Sequence, residues 1–210
     1  MCTRFVIASS AKDLASDLQA KGPWIEELSL PSFNVAPFDR IPVLHDQEAD
    51  RRVTVRPFGV RRQGRVHLNG RIESLSERPM FRPHLMSRRV LIPMSGWYEW
   101  TKSGSGLAQP HYLRTRSASA LVAGLLLPEG AGHGVILITR PADPSCRAIH
   151  ERMPHVLDGP HAEAWLRAGS MPEPVLKSIE VEHHPVRRAV NRTDATGSDL
   201  ILRQPTLFDV

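Results

Sequence analysis

The sequence predicts an α+β fold: a single compact domain with an antiparallel β-sheet or barrel-like core and peripheral helices. Three observations carry this. The chain has 210 residues, enough to bury a core yet within one ordinary domain. Hydrophobic residues make up 41% and charged residues 23%, which excludes collagen-like and disordered chains. Short β-forming runs separated by turn residues fill the middle of the chain, spaced like antiparallel strands.

Taken in order, Ser9 and Ser10 are placed to cap a helix that carries Leu14 and Leu18 one turn apart and ends near Gly22-Pro23. Pro31 to Pro42 reads as turn-rich. Strands are expected at Ile41 to Leu44, Arg51 to Phe58, Arg89 to Pro93, Gly96 to Thr101, His111 to Thr115, Ala120 to Leu127 and Val135 to Thr139. Ser76 to Ser87 has helical composition despite Pro79 and Pro83. Pro160 to Ala168 forms a helix with proline in its first turn, and Pro172 to Ile179 a shorter one. Ser103 to Gln109 reads as a Gly/Ser-rich hairpin loop, and residues 203–210 as a flexible tail on a domain of residues 1–202.

The longest apolar stretch, Ala118 to Pro128, is too short to span a bilayer, and no membrane association is expected. The N-terminus lacks the pattern of a signal peptide, so a cytoplasmic, nucleoid-associated location is expected. In that compartment Cys2 and Cys146 stay free thiols. Net charge is +5, and of 27 basic residues 23 are arginine. Arginine pairs bidentately with phosphate and stacks on bases, which makes nucleic acid a natural partner; a bias toward arginine alone would give the same charge.

Position 2 is the most informative. Removal of Met1 would leave Cys2 with a free α-amine beside its thiol, and a 1,2-aminothiol captures aldehydes: the amine forms an imine, and the sulfur closes a five-membered ring. With an amine near pKa 7.7 to 8.0 and a thiol near 8.5, a modest shift suffices at about neutral pH. Arg4 would bring positive charge to this nucleophile. An incidental cysteine at a frayed end is the bland alternative.

In Gly96-Trp97-Tyr98-Glu99-Trp100, alternation puts Tyr98 and Trp100 on one face and Trp97 and Glu99 on the other. A desolvated Glu99 would have a raised pKa, useful for general acid or base work; an exposed strand glutamate would not. His150 and His155 are five apart with Pro154 between them, unlike the i, i+4 pair a helical zinc site needs, so no metal and no other cofactor is expected. His150 remains an acid/base candidate or a hydrogen-bonded loop histidine. Asn69 can orient an amine and Arg71 can bind phosphate, although Asn69-Gly70-Arg71 singly reads as an ordinary loop.

Six ordered blocks then resemble the SOS response-associated peptidase (SRAP) family: Met1-Cys2-x-Arg4-Phe5, Phe33-Asn34-Val35-Ala36-Pro37, Asn69-x-Arg71-x-Glu73, Gly96-x-Tyr98-Glu99-Trp100, Ile149-His150-x-Arg152-x-Pro154, and His184-Pro185-Val186 leading to Ala189-Val190-Asn191. The resemblance implies crosslinking of Cys2 to abasic sites in single-stranded DNA or at single-strand/double-strand junctions, in response to DNA damage. It also implies self-processing of Met1 and lyase-like Schiff-base chemistry. By position, Cys2 is the nucleophile, Asn69 positions its amine, Glu99 shuttles protons and His150 assists ring opening. Arg4, Asn34, Pro37, Phe58, Arg71, Thr139 and Arg152 would hold the strand. Thr3, Gly70 and His155 depart from the family pattern. The Trp-Gly-Leu-x-Pro-x-Trp block is reduced to Phe58-Gly59-Val60-Arg61-Arg62, where Phe58 would keep part of the base stacking, worth about 1 to 3 kcal/mol per base.

Two other classes compete: a turnover hydrolase using Cys2 with its own amine or His150 as base, and a non-catalytic strand-binding module. Finally, Gln204-Pro205-Thr206-Leu207-Phe208 resembles peptides that dock in the bacterial replication sliding clamp, with Gln204, Leu207 and Phe208 as anchors; the alternative is that Leu207 and Phe208 fold back on the domain. A monomer is expected.

Overall fold

The computed structural model describes the chain apart from residues 1, 21, 23, 48–49, 102–107, 118, 168–176 and 205–210. In chain order its elements are β1 (Phe5–Ile7), α1 (Ala11–Asp17), α2 (Trp24–Glu27), β2 (Ser32–Val35), β3 (Arg40–Gln47), β4 (Asp50–Pro57), β5 (Val60–Arg62), β6 (Arg65–His67), β7 (Asn69–Arg71), β8 (Arg89–Met94) and β9 (Gly96–Thr101). These are followed by β10 (Gln109–Thr115), β11 (Ala120–Glu129), β12 (Gly132–Pro141), α3 (Pro144–Arg147), β13 (Arg152–Pro154), β14 (Val156–Leu157), α4 (Gly159–Leu166) and β15 (Val181–Pro185). The architecture is α+β with mostly antiparallel sheet.

One sheet runs β15-β10-β9-β1-β2 and the other β13-β12-β11-β8-β3-β4, with β7 on β12 and β14 on β11. Every residue of β8 is buried, which is why Val90 to Met94 reads as an unbroken apolar run rather than an alternating one. Helix α4 covers this region, capped by Asp158 and pinned where the Trp165 indole N–H donates to the Val90 carbonyl at 2.9 Å. The five-stranded sheet has apolar packing on both faces. Phe5, Ile7, Trp97 and Leu113 join the main core, whereas Val6, Tyr98 and Tyr112 pack under Val186, Val190 and Leu200. Gly96 permits the second packing, since a Cβ there would lie 2.5 Å from the Tyr112 ring.

Several expectations change. The second sheet does not close into a barrel by a continuous ladder; an isolated Phe58↔Val135 bridge links the end of β4 to β12. Residues 76–87 form turns and a 3-10 turn at Arg82–His84 rather than an α-helix, because Pro79 and Pro83 lack the backbone N–H that a continuous helix needs there. The bland alternative for Cys2, a frayed end, does not hold: Cys2 is wholly buried and β1 is fully buried between β9 and β2. Strand β2 forms inside the stretch read as turns, and Asn69–Arg71, read as a loop, is β7, lying parallel to β12. Gly70 belongs there, since a Cβ would meet Leu75 Cδ2 at 2.8 Å. Most of the expected 172–179 helix and of the 103–109 loop lies outside the described residues; 177–179 has no regular structure. Among the described residues no helix is long and apolar enough to cross a membrane.

Candidate active site and nucleic-acid interface

The site begins with the register of the N-terminal segment. Phe5 pairs with Trp97 and the Tyr98 N–H donates to the Arg4 carbonyl at 3.0 Å, so the chain before β1 continues alongside β9 toward Glu99. Cys2 is wholly buried, its Sγ 3.8 Å from the Arg4 carbonyl. Burial, then the negative charge of Glu99, pushes the thiol well above its usual range. That overturns the expectation of a readily formed thiolate: low-dielectric surroundings penalise the anion, and Arg4 does not compensate. Its guanidinium bonds Asn34 Oδ1 and the carbonyls of Val190 and Arg192, at 3.0 and 3.1 Å.

Glu99 is 2% exposed, on the Trp97 face as alternation requires, and burial lifts its carboxyl from 4.5 to about 7. His150 Nε2 lies 3.9 Å from Glu99 Oε2. The other ring nitrogen, Nδ1, is 2.9 Å from the Arg152 backbone N–H and 3.1 Å from the Arg152 carbonyl. In the neutral ring Nδ1 can accept from that N–H or donate to that carbonyl, and either tautomer leaves Nε2 facing Glu99. Burial also lowers the His150 pKa, which favours this neutral form at pH 7. A thiol, a carboxyl poised near neutrality and a neutral imidazole thus converge, with buried Cys146 close enough for Glu99 to raise its thiol to about 12 as well, after burial.

A second group forms on β7, β12 and β13, where Asn69 pairs with Leu137, Arg71 with Thr139 and Arg152 with Pro141. Asn69 Oδ1 is buried with no hydrogen-bond partner among the described residues, an acceptor left over for a donor that approaches it. Arg71 is exposed. Arg152 is buried and bonds Glu73 through both carboxylate oxygens, and through Nη2 the Thr139 carbonyl and Oγ1, at 2.9 and 3.3 Å. Its backbone N–H is the group that fixes the His150 ring, so this pair braces the catalytic candidates. In the sequence Glu73 is only part of a matching block; its pairing with Arg152 depends on the tertiary structure, and no local signal points to it.

The remaining candidates separate. Asn34 donates to the carbonyls of Arg192 and Ala195, each at 2.9 Å, so with Arg4 it ties down the 190–195 segment. Pro37 is partly exposed. Phe58 is wholly buried edge-on against Phe5, ring centroids 5.2 Å apart, and cannot stack on a base as expected. The neighbouring partly exposed aromatic is Phe38, with the Arg61 guanidinium 3.5 Å above its ring. His155 explains its own departure from pattern: burial holds it near 4, so it stays neutral and packs on Trp165 like an apolar side chain. The Gln204 N–H donates to the Pro185 carbonyl at 2.9 Å, while Leu207 and Phe208 lie outside the described residues. Among the described residues no three His, Cys, Asp or Glu side chains form a metal cage.

Fold and site together define a single-domain α+β protein with a buried thiol, a buried carboxyl and a partly buried imidazole gathered beside the central strand β9. The chain belongs to the SOS response associated peptidase (SRAP) family, whose model matches residues 1–193. It is 27% identical to the abasic site processing protein YedK of Escherichia coli, over 96% of this chain and 99% of that protein. It is 24% identical to the abasic site processing protein YoaM of Bacillus subtilis, over 96% and 97%. A crystal structure of a protein from Bacteroides thetaiotaomicron shares the fold with a TM-score of 0.83 at 18% identity, over 97% of this chain and 100% of that one.

Proposed function

We propose that this chain captures the aldehyde of abasic sites in single-stranded DNA as a thiazolidine, through the amine and thiol of Cys2 after Met1 is removed. The observation that carries the reading is a wholly buried Cys2 thiol beside a Glu99 carboxyl lifted to about 7, itself 3.9 Å from His150. The names of the relatives support DNA with abasic sites as the substrate.

The amine attacks the aldehyde carbon of the opened deoxyribose to give a carbinolamine. Glu99 gives its proton to the departing hydroxyl, water leaves and the iminium forms. The thiol then adds to the iminium carbon, and the Glu99 carboxylate takes the sulfur proton, ending protonated as it began. The balance is aldehyde plus aminothiol to thiazolidine plus water. Because the thiol is held protonated, ring closure needs this base, and a group near pKa 7 serves both as acid and as base. Asn69 Oδ1 accepts from the amine, His150 Nε2 steadies the carboxylate, and Arg71 meets a strand phosphate. Arg4, Asn34, Pro37, Thr139 and Arg152 shape the strand's bed.

A denaturing gel with an abasic oligonucleotide tests this. One stoichiometric slow-migrating species, absent in Cys2→Ala and retained in Cys146→Ala, is the expected result. Strand scission without a lasting adduct would assign the site to lyase chemistry, turnover of added peptides to a hydrolase, and binding without adduct to a recognition module; each would overturn the crosslinking proposal.

A further inference from the structure

Phe38 stands where a large side chain is costly. The Asp39 N–H donates to the Ala36 carbonyl at 3.1 Å, closing a turn with Pro37 and Phe38 at its centre, and Phe38 has φ 73°. A turn with proline second and a positive φ third ordinarily takes glycine or asparagine at that third position, and a bulky aromatic there is strained. The surroundings hold it in place. The Phe38 N–H donates to the Phe58 carbonyl at 2.7 Å, the Phe58 N–H to the Asp39 carbonyl at 2.9 Å, and the Ala36 N–H to the Asp39 carboxylate at 2.9 Å. Strain of this kind gathers where ligands are clamped. Here it fixes a partly exposed ring against Gly59, where a Cβ would lie 3.8 Å from Phe38 Cε1 and 3.4 Å from the His67 carbonyl oxygen. Asn69 follows His67 by two residues, about 7 Å along the chain, so the ring borders the site. Above the ring lies the Arg61 guanidinium, 3.5 Å from its centroid. Arg61 is exposed, and its backbone N–H is held by the Glu129 carboxylate at 2.6 Å.

We propose that Phe38 and Arg61 form a stacking platform for one unpaired base flanking the abasic nucleotide, the base lying on the outer face of the guanidinium and the Phe38 ring backing it. The inference rests on the proposed function only in that a single strand crosses the site. An abasic nucleotide offers its neighbours no π-face, so a flanking base lacks a stacking partner on that side. A guanidinium plane supplies one, and every base can use it whatever the sequence. The ring beneath contributes in two ways: its negative face attracts the cation, and its fixed position keeps the guanidinium from wandering into solvent. Lysine would carry the same charge without the plane.

The test is fluorescence anisotropy with single-stranded oligonucleotides that carry a tetrahydrofuran in place of the abasic sugar; it has no aldehyde, so binding is read apart from adduct chemistry. A second tetrahydrofuran, placed at each flanking position in turn, deletes one base. With the wild-type chain one of these deletions should weaken binding by about 5- to 100-fold, the worth of one stacked base. Phe38→Leu, which keeps an apolar side chain without a ring, should bind the undeleted oligonucleotide that much more weakly and lose nothing further on the same deletion. Phe38→Tyr should behave as the wild type. Arg61→Lys should weaken binding at an unchanged salt slope. The platform is overturned if no deletion matters, if the deletion costs Phe38→Leu as much as the wild type, or if Arg61→Lys binds with wild-type affinity. A wild-type chain that binds none of the oligonucleotides overturns the platform and strand recognition together. The expected deletion pattern with no adduct on aldehyde-bearing abasic DNA supports the platform and overturns the crosslinking proposal instead.

Discussion

Replacing Glu99 by glutamine exposes how burial tunes the site. Folding lifts this carboxyl from 4.5 to about 7, so the folded state holds its proton over a pH range in which the unfolded chain has lost it. The stabilisation is fully present below about pH 4.5, declines as pH rises, and is gone once pH passes about 7. The difference between the two values corresponds to about 3 kcal/mol. A glutamine amide stays neutral throughout, so Glu99→Gln should gain on the wild type by up to about 3 kcal/mol between pH 4.5 and 8. Urea unfolding of both proteins at pH 5, 6, 7 and 8 reads it as a divergence in midpoint at constant m-value. Parallel pH profiles would refute the reasoning, because they would mean that Glu99 titrates alike in the folded and unfolded chains. The same variant should slow adduct formation by about 10²- to 10⁴-fold with DNA affinity unchanged.

Arg71→Ala should weaken DNA binding and reduce its salt slope by about one, measured by fluorescence anisotropy across ionic strengths. Arg152→Ala should instead cost about 2 kcal/mol or more in denaturant unfolding, because it strips Thr139 and Glu73 of a charged donor, and it should misplace His150 and so lower the adduct rate. Phe58→Ala should destabilise by about 3 to 5 kcal/mol through a core cavity, visible as a lower Tm, with no loss of affinity when folded protein is compared at equal concentration. For the tail we propose clamp docking through Gln204, Leu207 and Phe208; calorimetry of a 203–210 peptide against the cognate clamp should show binding that Leu207→Ala/Phe208→Ala removes.

What was legible in the sequence is what local pattern dictates. The apolar run of β8, the placing of Trp97 and Glu99 on one face of β9, the Ser10 cap of α1 and the strands β11 and β12 all follow from residue order alone, because apolar runs, strand alternation and caps are local signals. The matching blocks likewise marked Cys2, Glu99 and His150 as one set, and the structure brings those three together. Elements too short to show a period were not legible. Strands β1, β2, β7 and β15 have three to five residues each and exist because distant partners complete their hydrogen bonds, as β12 does for β7.

Side-chain roles divided the same way. Chemistry at Cys2 could be argued from its thiol and amine, but its protonation state depends on dielectric and neighbouring charge, which only packing sets: enclosed beside Glu99, the thiol is held protonated rather than activated. The family resemblance implies that Arg4, Arg152 and Phe58 hold the strand, and tertiary structure gives them internal partners, the two arginines satisfied by carbonyls and by Asn34 or Glu73, the ring by Phe5. A sequence states which groups a chain carries; whether a buried guanidinium or aromatic face meets protein or ligand is decided by which distant segment lies close enough to satisfy it, and that is a property of the folded whole.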